Sequence, residues 1–128
     1  MEHMLTVTEA AMENNTLKLY PIEEWPVMEW KKLKDGMRML ADSNALTFVY
    51  VLDTEEAFIQ LRLPKQIWPQ LAEAVKQQAE VTVEGPTSII LHSFQQEMDY
   101  LLDNIPGNSN YGNEMVNAVE DNFLPQNE

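Results

Sequence analysis

A chain of 128 residues, 45% of them hydrophobic, has the length of one domain with an ordinary core and is too apolar for a disordered segment. It contains no cysteine, which excludes disulfides, thiolate nucleophiles and thiolate metal sites together. The net charge of -13 is uneven: all eight Lys and Arg lie in residues 1–76, while residues 77–128 carry nine acids and no base, so phosphate backbones and anionic membranes are repelled from that half.

From Met4 to Tyr20 the pattern predicts a hairpin, with Leu5, Val7, Leu17 and Leu19 inward and Asn14-Asn15 as a turn that tolerates positive φ. Met1 to Thr6 lack a basic segment ahead of an apolar run, and no stretch is apolar for long enough to span a bilayer. The expectation is a soluble, cytoplasmic protein. Pro21 and Pro26 bracket an irregular connection through Trp25. Val27–Leu33 and Met37–Ala41 read as a second hairpin, closed by Lys34-Asp35-Gly36 with Gly36 left-handed. Lys31, Lys32, Lys34 and Arg38 then form a solvated, basic hairpin tip.

After a turn at Asp42-Ser43-Asn44 comes the strongest strand. Leu46, Phe48, Tyr50 and Leu52 share one face and Val49 and Val51 the other, which predicts a central strand covered from two sides. Asp53 to Glu56 turns the chain into Ala57–Leu63, where Ile59, Leu61 and Leu63 alternate with Gln60 and Arg62, so one face is wetter.

Pro64 opens a helix to about Gln78, with Ile67, Leu71, Ala74 and Val75 at helical spacing, Pro69 in the first turn and Trp68 against the sheet. Strands follow at Val81–Glu84 and Ser88–Leu91, joined by Gly85-Pro86. Ser93 and Gln96 have capping-box spacing, and the helix they open buries Phe94, Met98, Leu101, Leu102 and Ile105 before Pro106-Gly107. Asn110 is the expected N-cap of a last helix with the stripe Tyr111, Met115, Val119 and Phe123, flanked by Val116 and Ala118. The fold class is α+β: a mainly antiparallel sheet of about five to seven strands, with one mid-chain helix and a C-terminal helix pair packed on it. Residues 1–128 form one domain, with 125–128 a short tail.

Gly107 to Glu114 has the glycine spacing of a phosphate-binding loop, but Asn113 and Glu114 stand where Lys and a hydroxyl are required. Asp103 and Glu114 match the ends of a calcium-binding loop whose middle fails at Ile105, Gly107 and Asn108. The two histidines, His3 and His92, have no ligand at metal spacing, and Ser88, Ser93 and Ser109 sit in turns and caps. No catalytic residue, metal ligand or cofactor is therefore expected. Trp68 is assigned to the core, while Trp25 and Trp30 stay open between core and partner interface; single-stranded nucleic acid is set aside on net charge.

Several residues form a fingerprint together: Asp42-Ser43, Leu46-Thr47-Phe48, Tyr50, Trp68, Tyr100-Leu101, Asn104-Ile105, Gly107-Asn108, Asn110-Tyr111-Gly112 and Ala118-Val119-Glu120. They resemble the YjbL-like family of small uncharacterised proteins from spore-forming Gram-positive bacteria. The likeness runs from about residue 37 to 124 and is most specific from Asn108 to Glu120. It implies a bacterial cytoplasmic protein and supplies no activity or catalytic residue.

The functional expectation is an acidic, non-enzymatic interaction module for a protein partner, a basic one by charge, with no nucleic acid and no membrane. The alternative is a small-ligand, metal-binding or catalytic site at the Asn-rich corner of residues 103–114, around Asp103, Asn108, Asn110, Tyr111 and Glu114. An acidic mimic of nucleic acid is a third idea, and the oligomeric state is left open.

Overall fold

A computed structural model describes residues 3–124; the expected tail at 125–128 lies outside the described residues. The first strand, β1 (Met4–Glu13), turns through Asn14 (φ 52°) and Asn15 (φ 66°) into β2 (Thr16–Pro21). This is the expected hairpin, with both asparagines left-handed as a two-residue turn requires. Five further strands follow: β3 (Lys34–Asp42), β4 (Thr47–Asp53), β5 (Phe58–Pro64), β6 (Glu80–Glu84) and β7 (Ser88–Ile90). The helices are a single turn α1 (Val27–Trp30), then α2 (Trp68–Gln77), α3 (Phe94–Asn104) and α4 (Asn113–Phe123).

The strands form one curled seven-stranded sheet in the order β3-β4-β5-β1-β2-β6-β7. Four of the neighbouring pairs are antiparallel, while β1–β5 and β2–β6 run parallel. Strand β1 serves both halves. Its first residues, Met4 to Thr6, pair with β5, a register shift follows between Val7 and Glu9, and the remainder pairs with β2. An irregularity of this kind bends a strand and increases its twist, which is how one strand can run from one half of a curled sheet into the other.

The inward residues of the sheet, among them Leu5, Leu17, Leu19, Phe48, Tyr50, Leu61 and Val83, are fully buried. They join one core with Leu71 and Ala74 of α2, Phe94 and Met98 of α3, and Met115 and Val119 of α4. Trp68 stacks on Phe48 with ring centroids 4.8 Å apart, touches Phe123 at 5.6 Å, and donates its indole N–H to the Leu63 carbonyl at 2.9 Å. An aromatic cluster with its polar atom paired contributes burial and geometry together. Of the stripes expected on α2, α3 and α4, Ile67, Leu71, Ala74, Phe94, Met98, Leu101, Ile105, Met115 and Val119 are buried, while Val75, Leu102 and Phe123 are half-buried and Tyr111 lies before α4 in a 3₁₀ turn.

Four local expectations are corrected. Val27–Leu33 is not a strand. Pro26 starts one helical turn, closed by Trp30 N–H to the Pro26 carbonyl at 2.9 Å and Lys31 N–H to the Val27 carbonyl at 3.0 Å. Trp30 and Leu33, three residues apart, are buried while Val27 and Met28 are exposed, a helical spacing. There is accordingly no second hairpin before β3, and Gly36 does not take the left-handed position: Met37 does, at φ 59°. Glycine is needed at 36 for a close approach, since a Cβ there would lie 2.5 Å from the Val51 carbonyl oxygen. Ser93 precedes α3 without capping it through its side chain, and Gly112 (φ 90°), not Asn110, is the N-cap of α4. Trp25 and Trp30, which the sequence leaves open between core and partner interface, are both core residues, at 8% and 1% exposure.

Candidate functional site

At the Asn-rich corner the sequence-predicted residues lie close along the chain but turn to local duties. The Asn108 side-chain oxygen accepts from Asn110 N–H at 3.0 Å, and its amide donates to the Asn104 carbonyl at 3.1 Å. That arrangement opens a 3₁₀ turn at Ser109–Tyr111 in the manner of an Asx turn. Gly107 N–H donates to a Glu120 carboxylate oxygen at 3.0 Å, tying the corner to α4. Tyr111 is half-buried against the core, whereas Asp103, Asn110 and Glu114 are exposed. Among the described residues, no group of three or more His, Cys, Asp or Glu is placed to hold a metal ion. No helix among them is long and apolar enough to cross a membrane.

A more developed surface lies on the outer face of β3, β4 and β5. Alternation along these strands turns Arg38, Leu40 and Asp42 of β3, Val49 and Val51 of β4, and Phe58, Gln60 and Arg62 of β5 away from the core. Val49 and Val51 are nevertheless only 6% exposed. Two side-chain bridges account for this, each reaching over β4 from one flanking strand to the other. Arg62 of β5 donates to Asp42 of β3 at 2.8 Å and is steadied by Gln60 at 2.7 Å. Arg38 of β3 sets its guanidinium 5.8 Å from the ring centroid of Phe58 on β5. The apolar stems of both arginines thereby cover the valines. The expectation of a central strand covered from two sides is met only in part: β4 lies second from the β3 edge, secondary structure packs on its inner face alone, and the outer valines are buried beneath side chains of the flanking strands.

Between and beside these bridges runs an open groove of about 480 Å³, lined by Arg38, Leu40, Asp42, Val49, Phe58 and Arg62. Leu40 and Phe58 are 52% and 65% exposed, a large apolar surface in contact with water. Both arginines of the chain line this groove. They differ in their attachments. Hydrogen bonding to Arg62 holds the Asp42 carboxyl below the usual carboxylate range, whereas no ion pair forms at Arg38 among the described residues. The groove therefore offers an apolar floor and one guanidinium available to an incoming carboxylate.

The β3 edge of the sheet is less open. Met39 N–H on β3 donates to the Glu97 carboxylate of α3 at 2.9 Å. Asp35 of β3 accepts from Tyr50 OH at 2.6 Å, Met37 N–H at 2.9 Å and, through its other oxygen, His92 N–H at 2.8 Å, just before α3. These bonds dock the start of α3 along the β3 edge and satisfy groups that would otherwise invite another strand. Burial, followed by the neighbouring Asp35, pushes the Tyr50 phenol well above its ordinary range, so it stays protonated as a structural donor. The basic group Lys31, Lys32 and Lys34 faces Glu55 and Glu56 across a second cavity of about 380 Å³, so it is locally balanced and not an isolated cationic tip.

Sequence reasoning missed the outer face because it scored Arg62 and Gln60 only as a wet side of β5. A signal was present: both arginines fall at outward positions on the two strands that flank a strand with outward valines.

Comparison with known proteins gives a consistent result. The model of a family described as one of unknown function, UPF0738, matches residues 5–123. A UPF0738 protein of Halalkalibacterium halodurans is 42% identical over 120 residues, which cover 92% of this chain and 95% of that one. One from Geobacillus kaustophilus is 35% identical over 127 residues, covering 98% and 100%. One from Shouchella clausii is 36% identical over 124 residues, covering 95% and 98%. No solved structure matches. The fingerprint residues from Asn108 to Glu120 fall within the span that the family model matches.

Proposed function

The chain belongs to the UPF0738 family, whose function is unknown, and we propose that it works as a non-enzymatic binding module that docks a protein partner on the outer face of β3, β4 and β5. One observation carries this reading: a groove of about 480 Å³ with Phe58 and Leu40 exposed on its rim and both arginines of the chain beside it. Aromatic and arginine side chains around an apolar floor are what partner surfaces are enriched in. The setting proposed is the bacterial cytoplasm, and the YjbL-like likeness read from Asn108 to Glu120 belongs to the same proposal.

A second reading rests on charge. Asp99 and Asp103 of α3 and Glu114 and Asp121 of α4 are exposed, and Tyr100 among them is 65% exposed. A basic partner would be steered to that side. A small ligand at the Asn-rich corner is a third reading, and a thermal-shift screen with divalent cations and nucleotides would reveal it.

Photo-crosslinking in cells separates the first two. A photoreactive residue at position 58 is expected to give protein adducts that Leu40→Glu abolishes while leaving the thermal midpoint in place. Adducts from position 100 alone would transfer the role to the acidic helices and overturn the sheet-face reading.

A further inference from the structure

With the outer face as the docking surface, the reading on which this one rests, we infer that it takes a short extended segment of the partner protein. That segment carries an apolar side chain and a carboxylate two positions apart, with the carboxylate seated on Arg38.

Strand register sets the shape of the site. Across β4, Asp53 lies between Lys34 and Phe58, Val51 between Arg38 and Gln60, Val49 between Leu40 and Arg62, and Thr47 between Asp42 and Pro64. The contact of Arg38 with Phe58 and the bond of Arg62 to Asp42 each step by one such row in the same sense, so the two bridges cross β4 as parallel diagonals. Between them a channel runs from Leu40 on β3 to Gln60 on β5, with Val49 and Val51 as its floor. Rows about 6.8 Å apart and strands about 4.8 Å apart set the backbones of the two bridges about 11 Å apart across the channel. Side chains about 4 Å thick leave about 7 Å clear. That width admits an extended chain and rejects a helix, whose diameter with side chains is about 10–12 Å. The channel is about 12 Å long, the span of three or four extended residues, in which alternate side chains share a face about 6.8 Å apart. Being open along its length, it lacks the walls that enclose most of a small molecule's surface.

Charge sets the identity of the two side chains that face the floor. The charged groups lining the groove are Arg38, Arg62 and Asp42, two positive and one negative, a local surplus of one positive charge on a chain of -13. That surplus resides on Arg38. Arg62 is bonded to Asp42 at 2.8 Å and to Gln60 at 2.7 Å, and the other Asp42 oxygen accepts from Ala45 N–H at 3.3 Å. The Arg38 guanidinium has no ion pair or hydrogen bond among the described residues, and its contact with the Phe58 ring leaves its donors without an oxygen acceptor. Physiological salt screens exposed charges beyond about 8 Å, so the groups inside the channel decide which charge it accepts. A carboxylate matches the guanidinium fork, and the valine floor beside Leu40 takes the apolar side chain.

The test is a titration of the isotope-labelled full chain, followed by amide NMR shifts, with a capped pentapeptide that has leucine and aspartate two positions apart and serine elsewhere. Amides of Leu40, Val49, Val51 and Gln60 are expected to shift, with a Kd on the order of 1 mM for so small a contact. Asparagine in place of the aspartate, or serine in place of the leucine, should weaken binding at least about fivefold. Against Arg38→Gln the aspartate and asparagine peptides should bind alike, and Arg38→Lys, which keeps the charge and loses the fork, should fall between. Asp42→Asn takes the charge from the partner of Arg62 and should tighten the aspartate peptide about threefold without changing the asparagine peptide, a gain that loss of structure cannot produce. Unshifted amides away from the face show that each variant is folded. No binding up to about 10 mM, or equal affinity for the aspartate and asparagine peptides, would overturn the inference. So would shifts confined to residues 103–114, or decanoate binding more tightly than the peptide with the same dependence on Arg38. If the peptides fail while position 58 still crosslinks to proteins in cells, the docking face stands without this specificity; if crosslinking fails too, both readings fall.

Discussion

Gly85→Ala isolates the contact on which the single-turn helix α1 depends. Gly85 lies in the turn between β6 and β7, and a Cβ built there would stand 2.6 Å from Cη2 and Cζ2 of Trp30 and 2.8 Å from Cε2. Carbon atoms settle at about 3.5–4.0 Å, so the indole must retreat by about 1 Å. It has little room, being 1% exposed, and its N–H donates to both the carbonyl and the hydroxyl of Thr87 at 3.1 Å. Overpacking of this kind costs about 1–3 kcal/mol, and straining the indole bond adds about 1 kcal/mol. Reduced freedom of the unfolded chain returns about 0.5 kcal/mol. The expected destabilisation is about 2–3 kcal/mol, or roughly 10 °C in the thermal midpoint for a chain of this size. Urea unfolding followed by circular dichroism should show a lower midpoint with an unchanged slope. The decisive comparison is Gly85→Ala in a Trp30→Leu background, where the substitution should cost almost nothing because the obstructing ring is gone. Equal costs in the two backgrounds would refute the steric account.

Other outcomes follow from the same geometry. Asp35→Ala removes the acceptor shared by Tyr50, Met37 and His92, and should cost about 3 kcal/mol in urea unfolding, with the first amides of α3 losing exchange protection before the rest. Tyr50→Phe should change the alkaline limb of stability. Because the folded phenol is held above its unfolded value, the wild-type contribution is complete below about pH 10 and is lost as the pH rises beyond it, where the unfolded chain gives up the proton first. Denaturant midpoints from about pH 9 to about pH 11 should therefore fall less steeply in the variant. Equal slopes would reject that assignment. Met37→Gly relieves a left-handed residue at φ 59° and should stabilise by about 0.5–1 kcal/mol. Gly36→Ala should do the reverse, since its Cβ meets the Val51 carbonyl backbone at 2.5 Å, and a measured gain would contradict the close-approach reading.

Elements whose signal is local were legible in the sequence. Asn14-Asn15 announced a turn because asparagine accepts the left-handed region, and the stripes of α2, α3 and α4 announced amphipathic helices because their spacing repeats over two or more turns. What escaped was decided by distant partners. Val27–Trp30 is too short for a periodicity to establish itself, and its helical turn is selected by the room that Gly85 leaves for Trp30. Gly36 was noticed for its dihedral freedom when its lack of a side chain against Val51 was the point. The parallel pairings of β1 with β5 and β2 with β6 join segments tens of residues apart, and strand alternation says nothing about which strands meet. The outer groove depends on Arg38 and Arg62 reaching across an intervening strand, a relation that appears only once register is known. At the Asn-rich corner, residue types suited to ligands were legible, but not that Asn108 uses both ends of its side chain on its own turn.

The double service of β1 carries a consequence for how the chain is made. Strand β1, which is made before the other strands of this sheet, is the one on which both of its halves are assembled. Its hairpin with β2 closes over a two-residue turn and can form within microseconds of emerging. Each strand of that hairpin then waits for a distant mate: β5, which begins at residue 58, for β1, and β6, which begins at residue 80, for β2. At roughly 5–20 residues per second the hairpin stands with unpaired flanks for seconds during synthesis. The bend beside Val7 and the short reach of β1 toward β5 keep those flanks irregular over that interval, which disfavours pairing with a neighbouring nascent chain.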